Sequence, residues 1–480
     1  MGKTSRSLFV SLVVVAACGG GDAPGQSGAT PGGSPASSGS PSSGTAMGSP
    51  STVSPSIARA QSGTRDPASG IPASALAAAV TANNAFAASL YARVRARATD
   101  LNLVMSPLSA SVALTMTYGG AKGDTATEMA AALHIDPSAG SIFDGQNALT
   151  SELSGRGAAA FARAQTDSNG DGSPAPLAAN FELSIVDSVW GQDTYPWEPT
   201  FLDLVAKSYG TGVYLEDFSG QPDGARQAIN TWVSGQTANK INDLLPPTAI
   251  DDTTRMVLVN AIHLKMPWAT SFETSATAPG NFARADGTRV GASFMNENAS
   301  LPYVDDGQAQ IVALPLFGGV LSVVFALPHG DLATYEAGLG AGMISALAVP
   351  ATSTDVQLSL PKVDFTSPSV SLKSALEDLG MHKAFDMNQA DFSGLCSTLP
   401  EGPLYVNDVL QKVLLAFQED GVEAAAASAV VVDVDGGVSP ILSTATMTLN
   451  HPFLVSIVDQ ATGAVLFLGE IGDPSEMGTP

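Results

Sequence analysis

Segment 419–435 carries small or apolar side chains at every second position, from Val422 to Val434, while the charged Glu423 and Asp433 fall on the other phase. A β-strand has a period of two, so this segment can enter a sheet with one uncharged face. The chemistry it offers is main-chain hydrogen bonding along a new strand. Its alanine run and flanking glycines also suit an exposed loop, and composition alone would fit an Ala-rich helix or a linker.

A second candidate is an acidic run in which Asp167, Asn169 and Asp171 are spaced like the first ligands of a calcium-binding loop. Position twelve of such a loop holds a bidentate Glu, and here it is Ala178. The sequence therefore favours a polar insertion with weak calcium binding at most. We expect no metal site and no cofactor.

Enzyme signatures are absent from the sequence. The five histidines show no H-E-x-x-H spacing, and there is no G-x-S-x-G elbow, Walker loop or strand-linked G-x-G-x-x-G. Nothing positive argues for an enzyme. The formal charge of -24 makes nucleic acid and bare anionic lipid poor partners.

The N-terminus predicts export. Lys3 and Arg6 precede ten largely apolar residues, 8–17, which would span only about 15 Å as a helix, half of a bilayer. Residues 15–18, Val-Ala-Ala-Cys, resemble the bacterial lipoprotein cleavage box, in which Cys18 is lipidated. We expect a lipid-anchored protein at the bacterial outer membrane or cell surface, or a secreted one after an ordinary signal cut. The membrane would be touched only through the lipid.

Composition divides the chain into three parts: a signal peptide at 1–17, a disordered Gly/Ser/Pro-rich tether at 18–70, and one folded domain at 71–480. The tether has too few large apolar side chains to offset its ordering entropy. With Cys18 taken by lipid, Cys396 stands alone, so no internal disulfide is expected.

Hydrophobic periodicity predicts early helices followed by many strands, hence an α+β fold with antiparallel sheets. A Thr125–Glu128 capping box is expected to open one helix, and residues 459–463 to turn a C-terminal hairpin. The other predicted helices are Ile71–Arg97, Ala110–Tyr118 after a Pro at the first helical position, and Ala225–Ile241; the predicted strands are Phe181–Trp190, Met256–Leu264, Ile311–Pro315, Leu321–Leu327, Val356–Leu360, Phe453–Val458 and Val465–Ile471.

Four motifs in order resemble the serpin family, and the resemblance covers nearly all of residues 73 to 473. They are NLVMSPLSASVALTMTYGGAKGDTATEM, MVLVNAIHLKMPWATSFE, the hinge pattern E-x-G-x-E-A-A-A-A-S and LNHPFLVSIVDQATGAVLFLGEIGDP. The resemblance implies three β-sheets, about nine helices and an exposed reactive-centre loop. It also implies a monomeric suicide inhibitor: a serine protease cuts the loop, which inserts into the central sheet and traps the acyl-enzyme. The alternative is a non-inhibitory serpin-fold binding or carrier protein.

The resemblance assigns the site residues. The hinge consists of Glu419, Gly421, Val422, Glu423, Ala424, Ala425, Ala426, Ala427 and Ser428. The sheet-opening cluster consists of Ser106, Ser109, Asn260, Trp268 and, where the family has a histidine, Gln411. Val422 stands where Thr or a smaller residue is usual, and the loop is about six residues longer than expected, so inhibition by this chain is itself an expectation to test.

The extra length leaves the reactive bond open. Counting forward from Glu419 gives Asp435-Gly436, which agrees with the end of the apolar alternation and is preferred; counting back from the C-terminal signature gives Ile441. Val434 and Val438 are further alternatives. A cut after Asp435 would require a protease specific for acidic residues, whereas Val434 or Ile441 would suit elastase-like or subtilisin-like enzymes.

Overall fold

A computed structural model describes residues 8–18 and 58–476, apart from 61, 140, 168–181, 237–242, 340–341, 351, 399–402 and 423–443. Within these residues, no helix is both long and apolar enough to cross a membrane. The acidic run at 169–172 and most of the predicted reactive loop lie outside the described residues.

The described residues form ten α-helices. These are α1 (Ala73–Arg95), α2 (Pro107–Tyr118), α3 (Gly123–Ala132), α4 (Ile142–Ser154), α5 (Arg156–Asp167), α6 (Pro199–Tyr209), α7 (Pro222–Gln236), α8 (Leu332–Leu339), α9 (Met343–Ala346) and α10 (Lys373–Asp378).

They also form eighteen strands. These are β1 (Leu8–Cys18), β2 (Arg59–Ala60), β3 (Asn102–Met105), β4 (Glu182–Gln192), β5 (Val213–Glu216), β6 (Thr254–Pro267), β7 (Ala278–Ala283), β8 (Arg289–Asp305), β9 (Ala309–Pro315), β10 (Leu321–Pro328), β11 (Ser353–Pro361), β12 (Val363–Thr366), β13 (Val370–Ser371), β14 (Leu404–Gln418), β15 (Gly421–Val422), β16 (Ala445–Thr448), β17 (Phe453–Asp459) and β18 (Val465–Ile471).

The central sheet runs in the order β14, β15 with β1, β6, β4, β5, β2, with β12 and β13 on the outer side of β14. The remaining strands join through the long β8, which pairs with β7 and β11 along one part and with β9 at its end. From β9 the order continues through β10, β17 and β18 to β3. The predicted α+β class and three-sheet fold are confirmed.

The C-terminal hairpin lies in the middle of the core. All residues of β17 and β18 are buried, as expected for strands covered on both faces. Asp459 ends β17 and accepts hydrogen bonds from Arg156 Nε at 2.6 Å and Nη2 at 2.9 Å, and from Thr462 N at 2.9 Å. The predicted hairpin is confirmed, and a buried ion pair fixes its turn to α5.

The predicted capping box is wrong. α3 begins at Gly123 after Lys122, so Thr125 and Glu128 lie inside the helix. Their side chains instead accept hydrogen bonds from distant backbone groups: Thr125 Oγ1 from Asp391 N, and Glu128 Oε2 from His382 N. Both side chains therefore make tertiary contacts, which the spacing in the sequence does not reveal.

The ordered chain begins before Ile71. Arg59 and Ala60 pair with β5 at the edge of the central sheet, and the guanidinium of Arg59 lies 5.0 Å from the centre of the Tyr214 ring. Arg65 donates to Asn147 Oδ1 from Nε at 2.7 Å. These anchors are polar and main-chain contacts, which apolar composition alone does not reveal.

An acidic pair of the buried Glu470 and the half-buried Glu336 lies between α1, α8 and β18. Glu470 is 2% exposed and contacts Arg95 Nε at 2.9 Å, and Glu336 accepts a hydrogen bond from Tyr91 Oη at 2.5 Å. Burial and the charge of Glu336 raise the pKa of Glu470 to about 7, although Arg95 opposes the shift. Burial also raises the pKa of Glu336. The two carboxyl groups therefore hold a proton at pH values where an exposed Glu has lost it.

This pair predicts a loss of stability on the alkaline side. A carboxyl pKa that is higher in the folded than in the unfolded chain gives stability that is complete below about pH 4.3 and is lost as the pH rises through about 7. We expect the free energy of unfolding to fall by up to about 3 kcal/mol between pH 5 and 8.5. Glu470→Gln should flatten that slope and the exposed Glu273→Gln should not, as measured by urea denaturation at each pH. Equal slopes in all three chains would contradict the assignment.

Candidate functional site

The end of β14 is fixed by Glu419, whose side chain is 12% exposed. Its Oε2 accepts a hydrogen bond from Lys362 Nζ at 2.7 Å and its Oε1 accepts one from Thr277 Oγ1 at 2.9 Å. Burial alone would raise the pKa of Glu419, but these donors and its own backbone hold it below its usual value. Lys362 and Thr277 were missed by sequence reasoning because they lie far from the hinge along the chain.

The turn that follows brings the chain back into the sheet. Gly421 has φ +155°, and a Cβ there would lie 2.4 Å from Met266 O and 2.5 Å from Pro267 Cα. A side chain at this position would therefore collide with β6. Only glycine lets the backbone come this close.

Val422 is the first residue beyond the turn, and it is fully buried. It pairs antiparallel with Phe417 of β14 on one side and with Met266 of β6 on the other. The side chains of all three belong to the main hydrophobic core. Val422 thus faces inward, as its phase in the sequence predicts, and its β-branched side chain is accommodated in a central strand.

Trp268 lies beside this hinge. Its Nε1 donates to Gln418 O at 2.8 Å, and its ring packs at 6.1 Å from the ring centres of Phe272 and Phe417. It is eight residues beyond Asn260 in the chain, roughly 26 Å along an extended strand. Its grouping with the sheet-opening residues is therefore wrong: Trp268 supports the hinge.

Below β15, the space between β14 and β6 forms a slot for one strand. β1 lies in it, antiparallel to both neighbours and hence in the same direction as β15. Leu8 is opposite Leu264, three rows beyond the pair of Gly421 and Pro267. If the chain continued from β15 in this register, residue 424 would take the row of Leu8. By the same count Cys18, the last residue of β1, marks the row of residue 434.

Polar contacts anchor β14 at the middle of the slot. Gln411 is 2% exposed and makes two hydrogen bonds with one residue: its Oε1 accepts from Ser106 N at 3.2 Å, and its Nε2 donates to Ser106 O at 2.9 Å. Ser106 Oγ caps α2 by accepting from Ser109 N and donates to Leu466 O at 2.7 Å. The pattern joins β14 to the start of α2 and to β18.

Comparison with known proteins adds to this geometry. The family model described as Serpin (serine protease inhibitor) matches residues 81–474, most of the chain. The chain belongs to the serpin family.

Two proteins illustrate the likeness. The leukocyte elastase inhibitor A of Mus musculus is 30% identical over 408 residues, which are 82% of this chain and 99% of that protein. The crystal structure of the thermophilic serpin tengpin in the native state is similar with a TM-score of 0.66 at 26% identity, over 82% of this chain and 94% of that one. Both matches extend over more than four fifths of this serpin.

The structure brings together three of the predicted sheet-opening residues of this serpin: Ser106, Ser109 and Gln411. Ser109 Oγ is buried and has no hydrogen-bond partner among the described residues. Asn260 lies in the same row as Gln411, since both pair with Leu12 of β1, but its side chain is not among those described. Of the hinge, Glu419, Gly421 and Val422 are placed as above. Residues 423–428 and every candidate reactive bond lie outside the described residues.

Because Gln411 does not titrate, we expect its two hydrogen bonds to Ser106 to be independent of pH. Gln411→Ala would leave the N–H and C=O of Ser106 buried without these partners, which costs about 1–3 kcal/mol per group. Gln411→His should keep the bonds only while the ring is neutral, because a protonated ring cannot accept from Ser106 N. We therefore expect stability of the His variant to fall as the pH drops through about 6.5, measured by thermal unfolding from pH 5 to 8. A pH-independent His variant would contradict the hydrogen-bond assignment.

Proposed function

We propose that this serpin inhibits serine proteases as a suicide substrate whose loop is cut and then inserts between β14 and β6. The observation that carries the proposal is Val422, which already pairs with both strands at the head of the slot. Once β1 has left the slot, the chain after Val422 needs only to continue in the same direction. The protein would act as a monomer and not as an enzyme, with no cofactor and no nucleic acid.

The charges of the loop agree with this register. Glu423 is two residues after Gly421, which would place it opposite Lys265, two residues before Pro267. Measured against β1, residue 433 takes the row of Ala17, opposite Thr254 and next to Arg255. Glu423 would therefore face a basic residue of β6, and Asp433 would lie one residue from another. Such opposite charges across a ladder favour one register.

The length of the slot supports one reactive bond over the others. β1 fills the rows of residues 424 to 434; β14 begins at the last of these rows and β6 begins one row earlier. Insertion as far as Val434 would bring Asp435 to the bottom of the sheet with the attached protease. A cut after Ile441 would leave about six further residues, roughly 20 Å of slack. The proposed bond is Asp435-Gly436, and the proposed target is a serine protease specific for acidic residues.

A binding or carrier protein is the second candidate. Thyroxine-binding globulin, known from its complex with thyroxine, is 25% identical to this chain with a TM-score of 0.67 over 83% of this chain and 99% of that one. The long loop also favours this candidate. Val422 does not favour a carrier, because the structure accommodates its side chain as a buried strand residue.

The test is incubation of residues 19–480 with proteases specific for acidic residues, elastase-like proteases and subtilisin-like proteases. We expect a covalent complex that survives SDS and heat, and a released C-terminal peptide beginning at Gly436 by mass spectrometry. Cleavage by every protease without a complex, and without a rise in thermal stability of the cut chain, would favour the carrier.

We further propose export with a lipid on Cys18. Metabolic labelling of the unchanged chain with a fatty acid, compared with labelling of Cys18→Ser, tests this proposal.

A further inference from the structure

The slot has two possible occupants in one chain. β1 pairs with β14 and with β6 along almost its whole length, in the direction and in the rows that residues 424–434 would use. A strand between two neighbours uses the main-chain groups on both of its edges. The leader segment, which consists of residues 8–18 and forms β1, and the inserted loop therefore exclude each other.

The leader segment is the better strand former of the two. Residues 8–18 contain four Val, two Leu and one Phe, with Ser11 as the one hydroxyl residue. Residues 424–434 contain five Ala and four Val, with Ser428 and Asp433. β-branched and aromatic residues favour strands and Ala does not, and larger apolar side chains gain more on burial. The 39 residues between Cys18 and Ala58 can extend beyond about 120 Å, so the chain can reach the slot.

We propose that the leader segment Leu8–Cys18 is an autoinhibitory strand, which blocks loop insertion until the chain is cut before Cys18. This inference rests on the proposed inhibitory function. The strand ends at the predicted cleavage position, so a single cut removes ten of its eleven residues. Removal of the leader would then vacate the slot and activate the inhibitor in one step.

Three chains test the proposal: residues 1–480 made without membranes so that the leader is retained, residues 19–480, and residues 1–480 with Val10→Pro and Val13→Pro. Proline lacks the N–H that a central strand needs, so the double variant keeps the length but cannot pair. With a protease that residues 19–480 trap, we expect at least tenfold less complex from the unchanged full chain and full recovery in the proline variant. Equal complex from all three would overturn the proposal.

A readout without protease separates this proposal from the proposed function. Hydrogen exchange should show protected amides at residues 8–18 in the unchanged full chain and fast exchange there in the proline variant. Thermal unfolding should occur at a higher temperature in the unchanged full chain than in the other two. If residues 19–480 trap no protease, the inhibitory function fails, yet protection at 8–18 still tests the strand. Fast exchange at 8–18 in the unchanged chain would refute the autoinhibitory strand by itself.

Discussion

A chain carrying Val430→Glu should be cut by the target protease as readily as the unchanged chain and should form at least tenfold less SDS-stable complex. In the register of β1, residue 430 takes the row of Val14, between Leu258 and Val409. Both neighbours are fully buried in the main core. An unpaired carboxylate in such a row costs several kcal/mol, and each 1.4 kcal/mol is roughly a factor of ten. The loop would be cut but could not complete its insertion.

Ser443→Glu is the matched control, because it adds the same charge to the loop beyond the segment that inserts. It should keep the yield of complex while Val430→Glu loses it. The measurement is the ratio of complex to cut chain on SDS gels at equal protease. If Val430→Glu gives as much complex as the unchanged chain, the phase assignment of the loop fails.

An Asp459→Ala chain is expected to lose about 3–5 kcal/mol of unfolding free energy, because Arg156 would lose its buried charge partner and keep only the half-exposed Glu152. The side chains are 0% exposed for Asp459 and 10% for Arg156, and two charge-assisted hydrogen bonds join them. The same carboxylate also accepts from Thr462 N and Oγ1 in the turn between β17 and β18. Denaturant titration of residues 19–480 measures the loss.

Two further variants separate charge from turn geometry. Asp203→Ala removes an exposed pair with Lys207 at 3.3 Å and should cost less than about 1 kcal/mol. Arg156→Met with Asp459→Ala leaves neither a buried charge nor an acceptor for Thr462, so it should recover the part of the loss that comes from the unpaired charge. If the double variant is no more stable than Asp459→Ala, the turn bonds to Thr462 carry the effect instead of the ion pair.

Elements with strong periodicity could be predicted from the sequence. The hairpin of β17 and β18 and the helix α1 lie where the alternation and the helical spacing placed them, within two or three residues. The inward phase of Val422 also followed from the period of two. These predictions succeeded because hydrophobic burial decides both the pattern and the structure.

Predictions that depended on the partner of a single polar residue were less accurate. Thr125 and Glu128 bind distant backbone groups instead of capping α3, and Trp268 supports the hinge instead of the sheet-opening cluster. Lys362 holds Glu419 from 57 residues away in the chain. Spacing along the chain gives no information on such partners, because folding alone brings them together. The strand formed by the leader was also unforeseen, since its apolar run fits a signal peptide equally well.

The pairing of Gly421 and Val422 has a consequence for timing. A strand that starts from a free loop must first find its register, and the entropy of closing the loop opposes that step. In the proposed mechanism the first rows are formed before any protease arrives, so insertion after the cut would be propagation from an existing end once β1 has left the slot. Every further row would add contacts without a new search. Whether the protease is trapped or escapes would then depend on whether this propagation is faster than hydrolysis of the acyl bond by water.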